Sequence, residues 1–111
     1  MDVRGLTVGP FEENCWIVAD PAAGEAVCID PGDEGARILA SIAETGCRLT
    51  AIWLTHAHLD HVGAIADVLA VHDVPVLLHA ADLPLYRTVD RQAARFGLRM
   101  VAPPEPTTAA T

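Results

Sequence analysis

The sequence predicts an α/β domain in which a β-hairpin precedes alternating strands and helices. Three observations lead to that class. The first thirty residues hold β-rich segments separated by turn residues. From Asp30 onward, short apolar runs alternate with segments of helical periodicity. A cluster of metal-ligand side chains follows directly on the most apolar run, where open α/β sheets keep their chemistry.

The chain has 111 residues, of which 51% are hydrophobic and 20% charged, a composition of globular rather than disordered sequences. The formal charge is −8 and every basic residue is Arg. An acidic chain without a basic cluster is a poor nucleic-acid or anionic-membrane binder, so neither is expected as a partner. No apolar run approaches the roughly 18 residues of a spanning helix. Met1 to Gly5 lacks the basic region and apolar core of a signal peptide, and the expected location is the cytoplasm. Cys15, Cys28 and Cys47 are odd in number and form no C-x-x-C pair. They read as structural thiols in a reducing compartment rather than as a disulfide or a metal site.

Val3–Val8 reads as a first strand, broken by Gly9-Pro10. Asn14–Ala19 and Glu25–Ile29 read as a hairpin across the turn Asp20-Pro21-Ala22-Ala23-Gly24. Asp30-Pro31-Gly32-Asp33 ends the second of these strands, because Pro31 has no N–H to donate and Gly32 permits unusual dihedrals. Asp33 or the preceding turn is expected to cap a helix running to about Thr45, with Glu34 in its first turn. Ile38, Leu39 and Ile42 share one face of that helix, and Gly46 stands where a left-handed terminator belongs. The strand Ala51–Leu54 has no alternation, which predicts burial on both faces. Val62–Val71 carries Val62, Ile65, Ala66 and Leu69 at helical spacing. Pro75–Leu78 reads as a further strand, with His79 at its end. Asp82–Tyr86 and Thr88–Phe96 suggest short helices. The domain is expected to span residues 1–101, followed by a loose Pro-rich tail over 102–111.

Thr55-His56-Ala57-His58-Leu59-Asp60-His61 carries the chemistry. In an extended segment, residues two apart point the same way, so His56 and His58 can reach one metal ion. Asp60 and His61, in a turn leading into a helix, can face a second position nearby. Two metals roughly 3.5–4 Å apart share a bridging hydroxide, a nucleophile at neutral pH. Asp60 could instead cap the following helix. Four ligand-type residues within six, set against Trp53-Leu54, do not suit a solvated charge run.

This stretch resembles the T-H-x-H-x-D-H signature of the metallo-β-lactamase superfamily. Asn14-Cys15-Trp16-Ile17-Val18 is similar to the N-C-Y/W strand of its glyoxalase-II-like (hydroxyacylglutathione hydrolase-like) branch, and Ile29-Asp30-Pro31-Gly32 to the I-D-P-G turn. Gly63-Ala64-Ile65 resembles the helix start after the motif, and Val76-Leu77-Leu78-His79 the next strand. The resemblance implies that His56 and His58 bind a first metal and Asp60 and His61 a second. It implies that Asp60 also orients the bridging water and takes part in proton transfer, and that Asp30 supports the site loop. Zinc is the implied metal, with iron or manganese as alternatives. The implied reaction is hydrolysis of a small-molecule thioester of the S-acylglutathione type. A persulfide dioxygenase-like iron protein and a non-catalytic metal-binding or self-associating fragment are the other readings.

The family's fold is a four-layer α/β/β/α sandwich, and this chain matches its N-terminal half. The ligands that the family takes from a G-H-T-x-G-H-like segment, a later Asp and a late His have no counterpart here. No His follows His79, and the later acids are Asp82, Asp90 and Glu105. A catalytic zinc usually has three protein ligands, so the chain is expected to be truncated and weakly active or inactive. Half a sandwich also leaves one apolar sheet face uncovered, which predicts self-association through it.

Overall fold

The computed structural model describes residues 1–10, 12–55, 63–79, 86–87, 91 and 107–109. The described residues form one six-stranded sheet in the order β1-β2-β3-β4-β5-β6. The strands are β1 (Asp2–Val8), β2 (Glu13–Asp20), β3 (Glu25–Ile29), β4 (Arg48–Trp53), β5 (Val76–His79) and β6 (Thr107–Ala109). β1, β2 and β3 pair antiparallel, and β3, β4, β5 and β6 pair parallel. Among the described residues, two helices lie in the crossovers, α1 (Gly35–Glu44) between β3 and β4 and α2 (Ile65–Leu69) between β4 and β5.

The alternation of β1–β3 builds one buried face. Leu6, Val8, Cys15, Ile17, Ala19, Ala26 and Cys28 point inward and are at most 8% exposed. The helices cover this face. Ile38 and Ile42 of α1, with Ile65 and Val68 of α2, join Ile52, Val76 and Leu78 in a single core cluster. Leu39 packs at its margin. Each fully buried aliphatic side chain of this kind contributes about 1.5–3 kcal/mol against conformational entropy.

Turn chemistry fixes the hairpin. Gly24 takes φ +70° and donates its N–H to the Asp20 carbonyl at 2.9 Å, while the Asp20 side chain accepts from Ala22 N–H at 3.1 Å. α1 ends at Gly46, as expected, with φ +68° and an N–H donated to Ala43. Its start differs from the sequence reading. Asp33 accepts the N–H of Glu34 at 2.7 Å and caps no helical amide. Glu34 itself holds the capping position at φ +55°, with no side-chain cap bond. Its carboxylate is committed elsewhere, accepting the N–H of Gly9 at 2.9 Å. Arg37 donates to the Thr7 carbonyl at 2.6 Å, so α1 is tied to the β1–β2 turn from two positions.

Two further expectations are corrected. β4 is not buried on both faces: Trp53 is 48% exposed. A register shift between Ala26 and Val27 lets Thr50 stand out of the ladder, and its hydroxyl donates to the Ala26 carbonyl at 3.1 Å. The strand has no alternation in sequence because the shift breaks it and because both of its faces are apolar. The tail is not wholly loose, since Thr107–Ala109 add a parallel strand to β5. A short β5 edge with unpaired backbone groups accepts such an addition whatever its apolar content. Tyr86 is buried in the core at 1% exposure. The expected helices Asp82–Tyr86 and Thr88–Phe96 lie outside the described residues, Tyr86 and Arg91 apart.

Among the described residues, no helix covers the other sheet face. Cross-strand partners make two apolar rows across it. One runs Gly5, Trp16, Ile29, Trp53, Leu77; the next runs Val3, Val18, Val27, Ala51. The Trp16 ring lies over Gly5 so closely that a Cβ at Gly5 would stand 2.6 Å from it.

Candidate functional site

β3 and β4 run parallel and end side by side. The ladder continues one step past each strand. Asp30 donates its N–H to the Trp53 carbonyl at 3.0 Å, and Leu54 donates to the Leu77 carbonyl of β5 at 3.0 Å. Asp30 then turns the chain with φ +53°, a left-handed conformation that Asp tolerates better than most side chains. That turn aims its carboxylate, on a residue only 4% exposed, back across to β4. Oδ1 accepts the Thr55 N–H at 2.8 Å and Oδ2 accepts the Thr55 hydroxyl at 2.5 Å. Hydrogen bonds to a charged acceptor contribute about 1.5–3 kcal/mol each when shielded, and less here because Thr55 is exposed.

The next residue holds the other end. Pro31, buried, accepts the Ala64 N–H on its carbonyl at 2.9 Å. Ala64 is 1% exposed and is the capping residue of α2. Adjacent residues of one turn therefore fix Thr55 and Ala64, the points between which the segment 56–63 must run. Pro suits the position because only its carbonyl is needed. Close packing of α1 on α2 seats the same turn. A Cβ at Gly35, the first residue of α1, would come 2.5 Å from Asp67 Cβ.

His56, His58, Asp60 and His61 lie outside the described residues. Among the described residues, no group of three His, Cys, Asp or Glu side chains could hold a metal ion. The fit to a metal therefore rests on donor chemistry and placement. Three imidazoles and a carboxylate suit zinc, iron or manganese, and both ends of their segment are pinned to one rigid turn. Asp30, expected to support the loop, bonds to Thr55, the residue before it. The roles of Thr55 and of the Pro31 carbonyl were missed. The signal for Thr55 was its place beside the first His; for a backbone carbonyl the sequence carries none.

Cys15 and Cys28 are free thiols with their Sγ atoms 3.8 Å apart, both fully buried. The contact with Cys15, then burial, pushes the Cys28 thiol far above its ordinary range. The pair is packing on the helix-covered face.

The family model described as "Metallo-beta-lactamase superfamily" matches residues 8–109. The chain is 35% identical over 99 residues to hydroxyacylglutathione hydrolase GloC of Haemophilus influenzae, covering 88% of this chain and 46% of that one. It is 41% identical over 80 residues to the probable metallo-hydrolase YqgX of Bacillus subtilis, covering 71% of this chain and 36% of that one. Among solved structures, TTHA1623 in a di-iron-bound form superposes with a TM-score of 0.85 at 45% identity, covering 94% of this chain and 52% of the other. The chain spans about half the length of these proteins or less. The sheet and the matched residues together place this chain in the metallo-β-lactamase superfamily, a family of metal-dependent hydrolases.

Proposed function

We propose that the chain contributes one side of the active site of a thioester hydrolase acting on S-acylglutathione-type substrates. Thiol and carboxylic acid are the products, with one water consumed. The observation that carries the reading is the double anchoring of the segment between Thr55 and Ala64 on Asp30-Pro31. It provides a rigid support for a run of ligand side chains, as metal sites require. The similarity to a hydroxyacylglutathione hydrolase over 88% of the chain supports the substrate class.

In this reading His56, His58, Asp60 and His61 hold the metal. When bound, such ions supply Lewis acidity and bring the pKa of water toward neutrality. Asp60 orients the attacking water and accepts its proton. Asp30 holds Thr55, and through it the start of the ligand run. Four ligands are few for two metals, and full activity is expected to need the rest of the family fold. The 111-residue chain alone is therefore weakly active.

The test is titration of the purified chain with Zn²⁺ and Fe²⁺ against a chromogenic chelator, alongside hydrolysis of S-lactoylglutathione. We expect metal binding that is lost in His58→Ala, with slow turnover at most. A folded chain that binds neither metal, or binds equally well as His58→Ala, would overturn the reading. Rapid zinc-dependent hydrolysis by the chain alone would overturn the statement that it is weakly active. The identity of the metal retained on purification separates the zinc form from an iron form, for which the di-iron neighbour is the precedent.

A further inference from the structure

We propose that Glu13 is a positioning residue for the metal-ligand segment, its carboxylate being the acceptor that an imidazole of that segment needs on its second nitrogen. The inference deepens the hydrolase reading and rests on the metal site of that reading.

Among the described residues, Asp30 and Glu13 are the two buried charged side chains. Asp30 gives one oxygen to the Thr55 N–H and the other to its hydroxyl. Glu13 serves neither anchor of the segment, since Ala64 is held by the Pro31 carbonyl. Yet it is 8% exposed, and both of its carboxylate oxygens are buried. A carboxylate leaves water only against donors or positive charge. The arginines of β1, α1 and β4 are engaged elsewhere. Arg4 pairs with Asp2 and Glu44, Arg37 donates to the Thr7 carbonyl, and Arg48 pairs with Glu25.

The register puts Glu13 beside the turn that anchors the segment. It opens β2 and faces the helix-covered side with Cys15 and Ile17. β3 ends on the pair Trp16–Ile29, and β2 begins three residues before Trp16. Glu13 therefore stands beyond the end of β3, alongside the Asp30-Pro31 turn. On its other side it pairs with Val8. Gly9, the next residue, donates its N–H to Glu34 at 2.9 Å, so the β1–β2 turn closes against the residues that follow Asp30-Pro31. Contact with Cys15 and burial raise the Cys28 thiol most, and the charges of Asp30 and Glu13 add to that rise. Both carboxylates are thus close to one buried thiol at the carboxyl end of β3. The segment 56–63 leaves from Thr55 and returns to Ala64 at this end of the sheet.

The chemistry of a metal-bound imidazole supplies the partner. One ring nitrogen binds the ion, and the other donates its N–H to a carboxylate, a backbone carbonyl or water. That acceptor fixes the tautomer and raises the basicity of the ligand. An ionised carboxylate only accepts, and Glu13 is shielded from water and carried on a paired strand. Positive charge on the metal-bound ring offsets the burial of the carboxylate in turn.

Zinc titration against a chelator, with spectra of the zinc-loaded chain carrying isotope-labelled histidine, tests this. Glu13→Ala should raise the zinc Kd about tenfold or more. It should also abolish a slowly exchanging imidazole N–H signal that the parent shows. Glu13→Gln keeps the shape and a carbonyl acceptor without the charge, so its Kd should fall between the two. Glu12→Gln removes the same charge one position away, from an exposed side chain, and should bind zinc as the parent does. Should Glu13→Ala not fold, Glu13→Gln carries the test. Folded Glu13 variants that bind zinc as tightly as the parent overturn the proposal. So does an imidazole N–H signal that survives in Glu13→Ala, or a loss in Glu12→Gln equal to that in Glu13→Gln. A folded parent that binds no zinc or iron overturns the hydrolase reading and this inference together, whereas the other outcomes leave that reading standing.

Discussion

Replacing Asp30 separates two contributions that the native residue combines. The first is the carboxylate, which accepts the Thr55 N–H at 2.8 Å and the Thr55 hydroxyl at 2.5 Å. The second is the backbone at φ +53°. Full loss of two charge-assisted bonds would cost about 3–6 kcal/mol. Thr55 is exposed, so water takes over part of its bonding, and about 2–4 kcal/mol remains. A left-handed residue with an ordinary Cβ costs about 1–2 kcal/mol more. Asp30→Ala should therefore lose both terms, about 3–6 kcal/mol in all. Asp30→Gly should lose the carboxylate alone and lie about 1 kcal/mol above Ala. Asp30→Asn keeps a local acceptor and tolerates the backbone, so it should lose least, about 1–2 kcal/mol. Urea unfolding followed by circular dichroism measures the order, provided the m-value is unchanged. Hydrogen exchange adds a local control. Asp30→Gly should expose the Thr55 amide, while the Ala64 amide, held by the Pro31 carbonyl, keeps its protection. An Asp30→Ala chain within about 0.5 kcal/mol of the parent, or equal exchange at both amides in Asp30→Gly, would refute the clamp.

Other outcomes follow from the packing. Gly35→Ala drives a Cβ to 2.5 Å from Asp67 Cβ, which should cost about 1–3 kcal/mol by overpacking between α1 and α2, read as a lower Tm. Under native conditions an aromatic disulfide reagent should modify one thiol of three, Cys47, which is half-buried, while Cys15 and Cys28 react only on unfolding. Stability should also fall as pH rises above about 9. There the unfolded Cys28 loses its proton, near its ordinary value of 9.0, while the folded thiol, held above that value, keeps it. The native state then binds more protons, and each pH unit removes about 1.4 kcal/mol per thiol. Urea midpoints at pH 8 and pH 10 test this, and Cys28→Ala should flatten the difference.

The hairpin, α1 and the order of crossovers were legible because each follows from local pattern. Alternation sets β1–β3, the Asp20-to-Gly24 turn fixes their register, and a 3.6-residue stripe of Ile38, Leu39 and Ile42 sets α1. β4 was harder. Its position was clear, but its exposure was not, since a strand apolar on both sides reads as doubly covered whether or not a second layer is present. The cap of α1 was misread because Asp33 is the better intrinsic cap, while the packing of Glu34 against Gly9 overrides that preference. β6 has no apolar signal at all. At the site, the motif named Thr55 and the turn named Asp30, but the bond between them spans 25 positions. Only the parallel pairing of β3 with β4 brings them together.

The same pairing links the apolar rows of the sheet to the clamp, and the linkage is testable. Ile29 and Trp53 are cross-strand partners in the apolar row. One step on, Asp30 bonds to the Trp53 carbonyl and its carboxylate reaches Thr55. The last pair of the face is thus the first support of the turn that holds the metal-ligand segment. Val27 and Ala51 pair two residues earlier and touch neither anchor. Loosening the sheet at its end should therefore reach the segment, whereas loosening it further back should not. Trp53→Thr is expected to raise the zinc dissociation constant about tenfold, the lower end of losses at supporting residues, and to speed exchange of the Thr55 amide. Val27→Thr should leave both unchanged. Equal zinc affinities in the two variants, both folded, would mean that the strand end and the segment behave independently and that Asp30 holds Thr55 without help from the face.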